Sequence, residues 1–164
     1  MFEKFGELGS AEEINELAEN LFNEQDEESL KALAKENGIP KEYVDMYLTG
    51  DIPSLCDCQT AALGKIDVET KELKPKDIME DWVEYLRCQI VESEELAKDV
   101  RSKEKSLKGM IGALLKWSFA HQRTIEKDIL QAAGIKNTGK VTLGIPGMGQ
   151  AKKIIKEYYM GEKA

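Results

Sequence analysis

Ser106-Leu107-Lys108-Gly109-Met110-Ile111-Gly112-Ala113-Leu114-Leu115-Lys116-Trp117-Ser118-Phe119 is the most apolar run of the chain. Its hydrophobic side chains recur at spacings of three and four and occupy more than one side of a helix. The sequence therefore predicts a helix buried at the centre of an all-α bundle. Ser106 offers the N-cap hydroxyl. Gly109 and Gly112 each cost roughly 1 kcal/mol of helix propensity relative to alanine, which suits close crossing by another helix.

Helices are predicted on both sides of this run. Upstream, Ser93 with Glu94 and Glu95 caps a short helix through Val100. Pro75 opens a longer one with Ile78, Trp82, Tyr85 or Leu86, and Gln89 or Ile90 on one side. Downstream, Thr124 caps a helix through Ala133 that Gly134 stops, and a last helix covers residues 150–160 with Ile154, Ile155, Tyr158 and Tyr159 as anchors. At the other end, Ser10 and Glu13 form a capping box ahead of Ile14, Leu17, Ala18, Leu21 and Phe22. Asp26 caps a second helix with Leu30, Leu33 and Ala34 inward; Gly38 ends it, Pro40 starts a third, and Gly50 ends that. Pro53 starts a fourth, ending at Gly64. The alternation around Ile66 and Val68 predicts an extended connector over residues 65–74. The expected fold is all-α, a small bundle of about eight to nine mostly short helices with one short extended segment. Its parts are an acidic short-helix region, 1–64, and a core bundle with a basic C-terminal helix, 75–164, built as one compact unit.

The chain has 164 residues, 41% of them hydrophobic and 33% charged, enough for one domain with a sizeable core. No apolar leader precedes it, no stretch approaches the roughly 18 apolar residues of a membrane span, and its three cysteines are an odd number. The expectation is a cytoplasmic protein. Charge is sorted along it: residues 1–100 carry 26 acidic and 10 basic side chains, residues 101–164 carry 5 and 13. A field of one sign steers encounters with the other, so this sorting points to a charged partner.

The negative candidates for partner binding are Glu24, Asp26, Glu27, Glu28, Glu42 and Asp45. Closely spaced carboxylates can imitate a phosphate backbone, and they also suit a solvated helix N-terminus. Residues 29–50 have a helix-turn-helix outline, with Gly38 at the turn and Ile39 and Val44 inward. The exposed helix there offers Glu42 and Asp45 against Lys41, the wrong charge for a polyanion. The positive candidates are Arg101, Lys103, Lys105 and Lys108, then Lys152 and Lys153. Gly147 and Gly149 ahead of that last pair suggest an anion nest at a helix N-terminus. These cations suit a nucleic acid, an acidic protein, or the chain's own acidic half. His121 is the sole histidine, with no flanked nucleophile, and Cys56, Cys58 and Cys88 lack the paired spacing of a structural zinc site. The expectation is no catalytic residue, metal or cofactor.

Within residues 93–133, Val100-Arg101-Ser102-Lys103-Glu104-Lys105-Ser106-Leu107-Lys108-Gly109, continuing into the Trp117 helix and Asp128-Ile129-Leu130-Gln131-Ala132-Ala133, resembles the PcfK-like proteins of conjugative and phage-related elements. Gly50-Asp51-Ile52-Pro53-Ser54-Leu55-Cys56 and residues 141–148 look like a longer variant of that grouping, members of which are classed as Cas9 inhibitors. The resemblance implies a non-enzymatic, anti-CRISPR type protein of a mobile genetic element with Cas9 as its protein partner. Two further functions suit the charge pattern: a nucleic-acid-binding accessory protein of conjugation that uses the basic part, and a homo-oligomeric helical scaffold.

Overall fold

The computed structural model describes residues 3–136 and 139–161; Met1 and Phe2, part of the stretch read for a leader, lie outside them. The element order is α1 (Ala11–Asn23), α2 (Glu27–Glu36), α3 (Lys41–Thr49), α4 (Cys58–Leu73), α5 (Ile78–Glu92), α6 (Glu94–Arg101), α7 (Leu107–Ala120), β1 (Arg123–Thr124), α8 (Lys127–Ala132), β2 (Thr142–Leu143) and α9 (Met148–Met160). The fold is all-α apart from one antiparallel ribbon, which pairs Arg123 with Leu143 and Thr124 with Thr142.

Local chemistry accounts for most helix starts. The hydroxyls of Ser10, Ser93 and Ser106 and the carboxylates of Asp26 and Asp57 each accept the backbone N–H three residues on. The carboxylate of Glu13 accepts the N–H of Gly9 at 2.8 Å, so the first cap is satisfied from both directions, one residue further upstream than a standard capping box. Gly38 and Gly50 take the left-handed conformation that ends α2 and α3.

Two apolar cores share one helix. Ile14, Ala18 and Leu21 of α1 meet Leu30, Leu33 and Ala34 of α2, with Ile39, Val44, Leu55 and Ala61 completing the first core. The second gathers Ala62 and Ile66 with Trp82, Leu86, Ile90, Val100, Met110, Leu114, Ile155 and Tyr159. Neighbouring positions of α4, Ala61 and Ala62, thus face different cores, and the expected boundary at residue 64 falls inside this helix. The extended connector expected over residues 65–74 is absent, because α4 runs on to Leu73. A helix buried on several sides has no single apolar stripe, which is why the signal for a helix was weak there. Nor does a helix begin at Pro53: Leu55 and Cys56 plug the first core as a loop, and Asp57 starts the helix.

Two other expectations change. Thr124 lies in β1, so α8 begins after Glu126 and buries none of its residues. The apolar helix α7 is central only over its first half, where Leu107, Met110, Ile111 and Leu114 are buried; Leu115 and Phe119 are exposed. Its glycines differ accordingly. A Cβ on Gly109 would fall 2.0 Å from the Tyr158 hydroxyl of α9, the expected close crossing, whereas one on Gly112 would meet nothing within 4 Å. Gly112→Ala is therefore expected to stabilise the protein by about 0.5–1 kcal/mol, the recovered helix propensity, as a rise in the urea midpoint.

Candidate functional site

α1 carries its apolar residues on one face and Glu12, Glu16 and Glu19, spaced by four and three, on the opposite one. These carboxylates form one wall of a 730 Å³ groove. Phe22 and Tyr47 lie within it, their ring centroids 5.6 Å apart and tilted by 60°, and the loop from Gly50 to Ser54 forms the far wall. None of the described residues lining the groove is lysine or arginine. Asn15 fixes the far wall: its side-chain amide donates to the Cys56 carbonyl at 2.8 Å and accepts the Cys56 N–H at 3.0 Å. Burial, reinforced by the charge of Glu19, pushes the Tyr47 phenol above its ordinary range, so it stays a neutral donor beside the carboxylates. Two aromatic faces rimmed by carboxylates suit a guanidinium or ammonium group, by ion pairing and cation–π contact together.

None of the acidic residues singled out from sequence lines this groove. Glu24 caps the end of α1 and is exposed, as are Glu28, Glu42 and Asp45. Glu27 pairs with Lys31 at 3.5 Å and borders a second concavity, of 420 Å³, where Phe22 also lies. Asp26 is occupied locally: its bond to Ser29, which caps α2, holds its carboxyl below the usual range. Sequence reasoning passed over Glu12, Glu16 and Glu19, although their spacing places all three on the face opposite Ile14, Ala18 and Leu21.

Part of the basic cluster is spent inside the molecule. Arg101, expected at the surface as an anion ligand, is 1% exposed. Its guanidinium donates to the Leu8 carbonyl at 2.9 Å, the Ala61 carbonyl at 3.1 Å and the Asn37 side-chain oxygen, and burial lowers its pKa. Lys103 pairs with Glu13 at 3.4 Å, and Lys105 donates to the Tyr158 carbonyl at 2.6 Å while lying over that ring. Lys65, unremarked in the sequence, is fully buried. Its ammonium meets Glu7 at 3.0 Å and the carbonyls of Ser102 and Lys105 at 2.7 Å each. Beside it, burial raises the Glu69 carboxyl although it accepts the Leu107 N–H at 2.8 Å. These contacts tie the N-terminal segment and α4 to α6 and α7. Lys108 and Lys153 stay exposed, and Lys152 lies over the Tyr85 ring.

The nest expected at Gly147 and Gly149 does not form. Neither residue is left-handed, Gly147 is an extended N-cap at φ −63°, and the N–H groups of Gln150 and Ala151 already bond its carbonyl. His121 stacks on Trp117, with its Nδ1 2.8 Å from that residue's carbonyl oxygen. Among the described residues no group of three His, Cys, Asp or Glu is placed to hold a metal ion, and no helix is long and apolar enough to cross a membrane. Burial pushes the Cys56 thiol up to about 12, whereas Cys88 is exposed. Native alkylation is accordingly expected at Cys88 and not at Cys56 until denaturant is added, as peptide mass mapping would show. Comparison with protein-family models, curated proteins and solved structures finds no match.

Proposed function

We propose that this is a non-enzymatic binding protein that engages a basic, nucleic-acid-handling protein through the acidic groove between α1 and α3. One observation carries the reading: Glu12, Glu16 and Glu19 line a groove over Phe22 and Tyr47 with no basic side chain among the described residues of its walls. The partner side chains that fit are arginines and lysines that otherwise hold a phosphate backbone, and the protein acts by occupying their channel. The PcfK-like resemblance supplies Cas9 as the first partner to test. The inward engagement of Arg101 and Lys105, with Lys103 paired to Glu13 at the surface, favours this acidic surface over direct nucleic-acid binding by that cluster.

The test is capture of empty and guide-loaded Cas9 at low salt, repeated as salt rises, beside gel-shift titration with single- and double-stranded DNA. Expected are salt-sensitive capture, strongest for empty Cas9 because the guide competes for the same cations, and no DNA shift. No capture at the lowest salt removes Cas9 as the partner. A DNA shift without capture would transfer the function to the basic part.

A further inference from the structure

Of the eleven exposed large hydrophobic residues among those described, seven fall between residues 115 and 148. Phe119 is 79% exposed, Ile129 58%, and Leu143 and Ile145 55% each. The local geometry sets them on one appendage. Burial alternates through Leu143, Gly144, Ile145 and Pro146, so the first and third point outward from an extended segment. Gly144 presses that segment on the last turn of α7, since a Cβ there would lie 2.4 Å from the Ser118 carbonyl oxygen. This brings Leu143 and Ile145 to the end of the helix that carries Phe119. α8 follows β1 directly and buries none of its own residues.

We propose that this appendage, made by the end of α7, the β1–β2 ribbon and α8, docks on the outer face of α3 in a second copy of the chain. Charge chooses the occupant. The same stretch carries Lys116, Arg123, Lys127, Lys136 and Lys140 against Glu126 and Asp128. A predominantly basic rim disfavours pairing of two appendages with each other and requires an acidic counterpart with an apolar centre. α3 presents such a surface: Tyr43 and Met46, 37% and 41% exposed, lie among Glu42 and Asp45, which outnumber the one exposed cation of the helix, Lys41. Only one of the seven apolar side chains, Phe119, is aromatic, which suits a protein surface better than single-stranded nucleic acid, whose bases stack on aromatic rings. The contact is head to tail, so it builds rings or open chains. It goes beyond the groove reading, because Glu42, Tyr43, Asp45 and Met46 do not line that groove; substitutions here leave Glu12, Glu16 and Glu19 intact.

The test is light scattering behind size-exclusion chromatography on the full chain and two charge-reversed variants, Glu42→Lys/Asp45→Lys and Lys127→Glu/Lys140→Glu. All four positions are exposed, and circular dichroism checks that each variant folds. The wild type is expected to gain mass with concentration at about 0.1 M salt and to return to monomer near 1 M, as the screening length falls from about 10 to about 3 Å. Each variant alone associates at least about tenfold more weakly. An equimolar mixture regains association, since each supplies the surface the other lacks. A wild type that stays monomeric, with or without a shift of single-stranded DNA, overturns the proposal. So does wild-type association by the α3 variant, or a mixture that stays monomeric.

Discussion

Arg101→Met is expected to cost about 3–5 kcal/mol of folding stability, the loss usual when one partner of a buried charged network is removed. Methionine has similar length and packs well in irregular cores, so little of the effect comes from lost volume. What is lost is the set of donors to Leu8, Ala61 and Asn37, which join the N-terminal segment, α4 and the end of α2 to α6. The Asn37 side-chain oxygen, left buried without this donor, costs about 1–3 kcal/mol, the Leu8 carbonyl adds a part-buried loss, the Ala61 carbonyl keeps its bond within α4, and relief of the guanidinium's desolvation offsets only part of that sum. Against a total stability of about 5–15 kcal/mol, urea denaturation should show a large shift. Arg101→Lys should rescue poorly, because an ammonium is a point charge that cannot fork toward three separated oxygens. The exposed pair between Lys103 and Glu13 is the contrast: Lys103→Ala should change stability by no more than about 1 kcal/mol.

Gly64→Ala is also expected to destabilise the fold, against the trend of helix propensity. In an open helix the change gains about 1 kcal/mol. Here the new methyl would fall 2.2 Å from the Asn37 carbonyl oxygen, a backbone atom at the end of α2 that cannot rotate aside. Overpacking of this kind costs about 1–3 kcal/mol or more and exceeds the propensity gain. Gly38 mirrors it from the other side, at φ +68°, with its own missing Cβ 2.3 Å from the Gly64 carbonyl oxygen. The two glycines are where the α2–α3 turn rests on α4. Their paired destabilisation, beside a stabilising Gly112→Ala, is readable in one set of denaturation curves.

The punctuation of the chain was legible in the sequence. Ser10, Asp26, Gly38, Gly50, Ser93 and Ser106 all act as local signals said they should, because caps and left-handed turns are settled by neighbouring atoms. What escaped depends on atoms far away in sequence. Residues 65–74 read as extended because Lys65 and Glu69, polar in any pattern, are buried among tertiary partners. Arg101 read as surface charge for the same reason: its acceptors lie 40, 64 and 93 residues away. Leu115 and Phe119 of α7 are apolar yet exposed, which no periodicity distinguishes from core. The groove was legible in part. The spacing of Glu12, Glu16 and Glu19 defines a helix face, but the meeting of Phe22 with Tyr47 requires the folded hairpin.

The most direct test of the central claim is a calorimetric titration of empty Cas9 with the wild-type protein and with Glu12→Lys/Glu16→Lys/Glu19→Lys. These carboxylates are exposed, so the reversal should leave the fold intact. The acidic groove predicts wild-type binding that weakens as salt rises, and affinity at least about a hundredfold lower in the triple variant. Equal affinity of the two proteins, unaffected by salt, would contradict it.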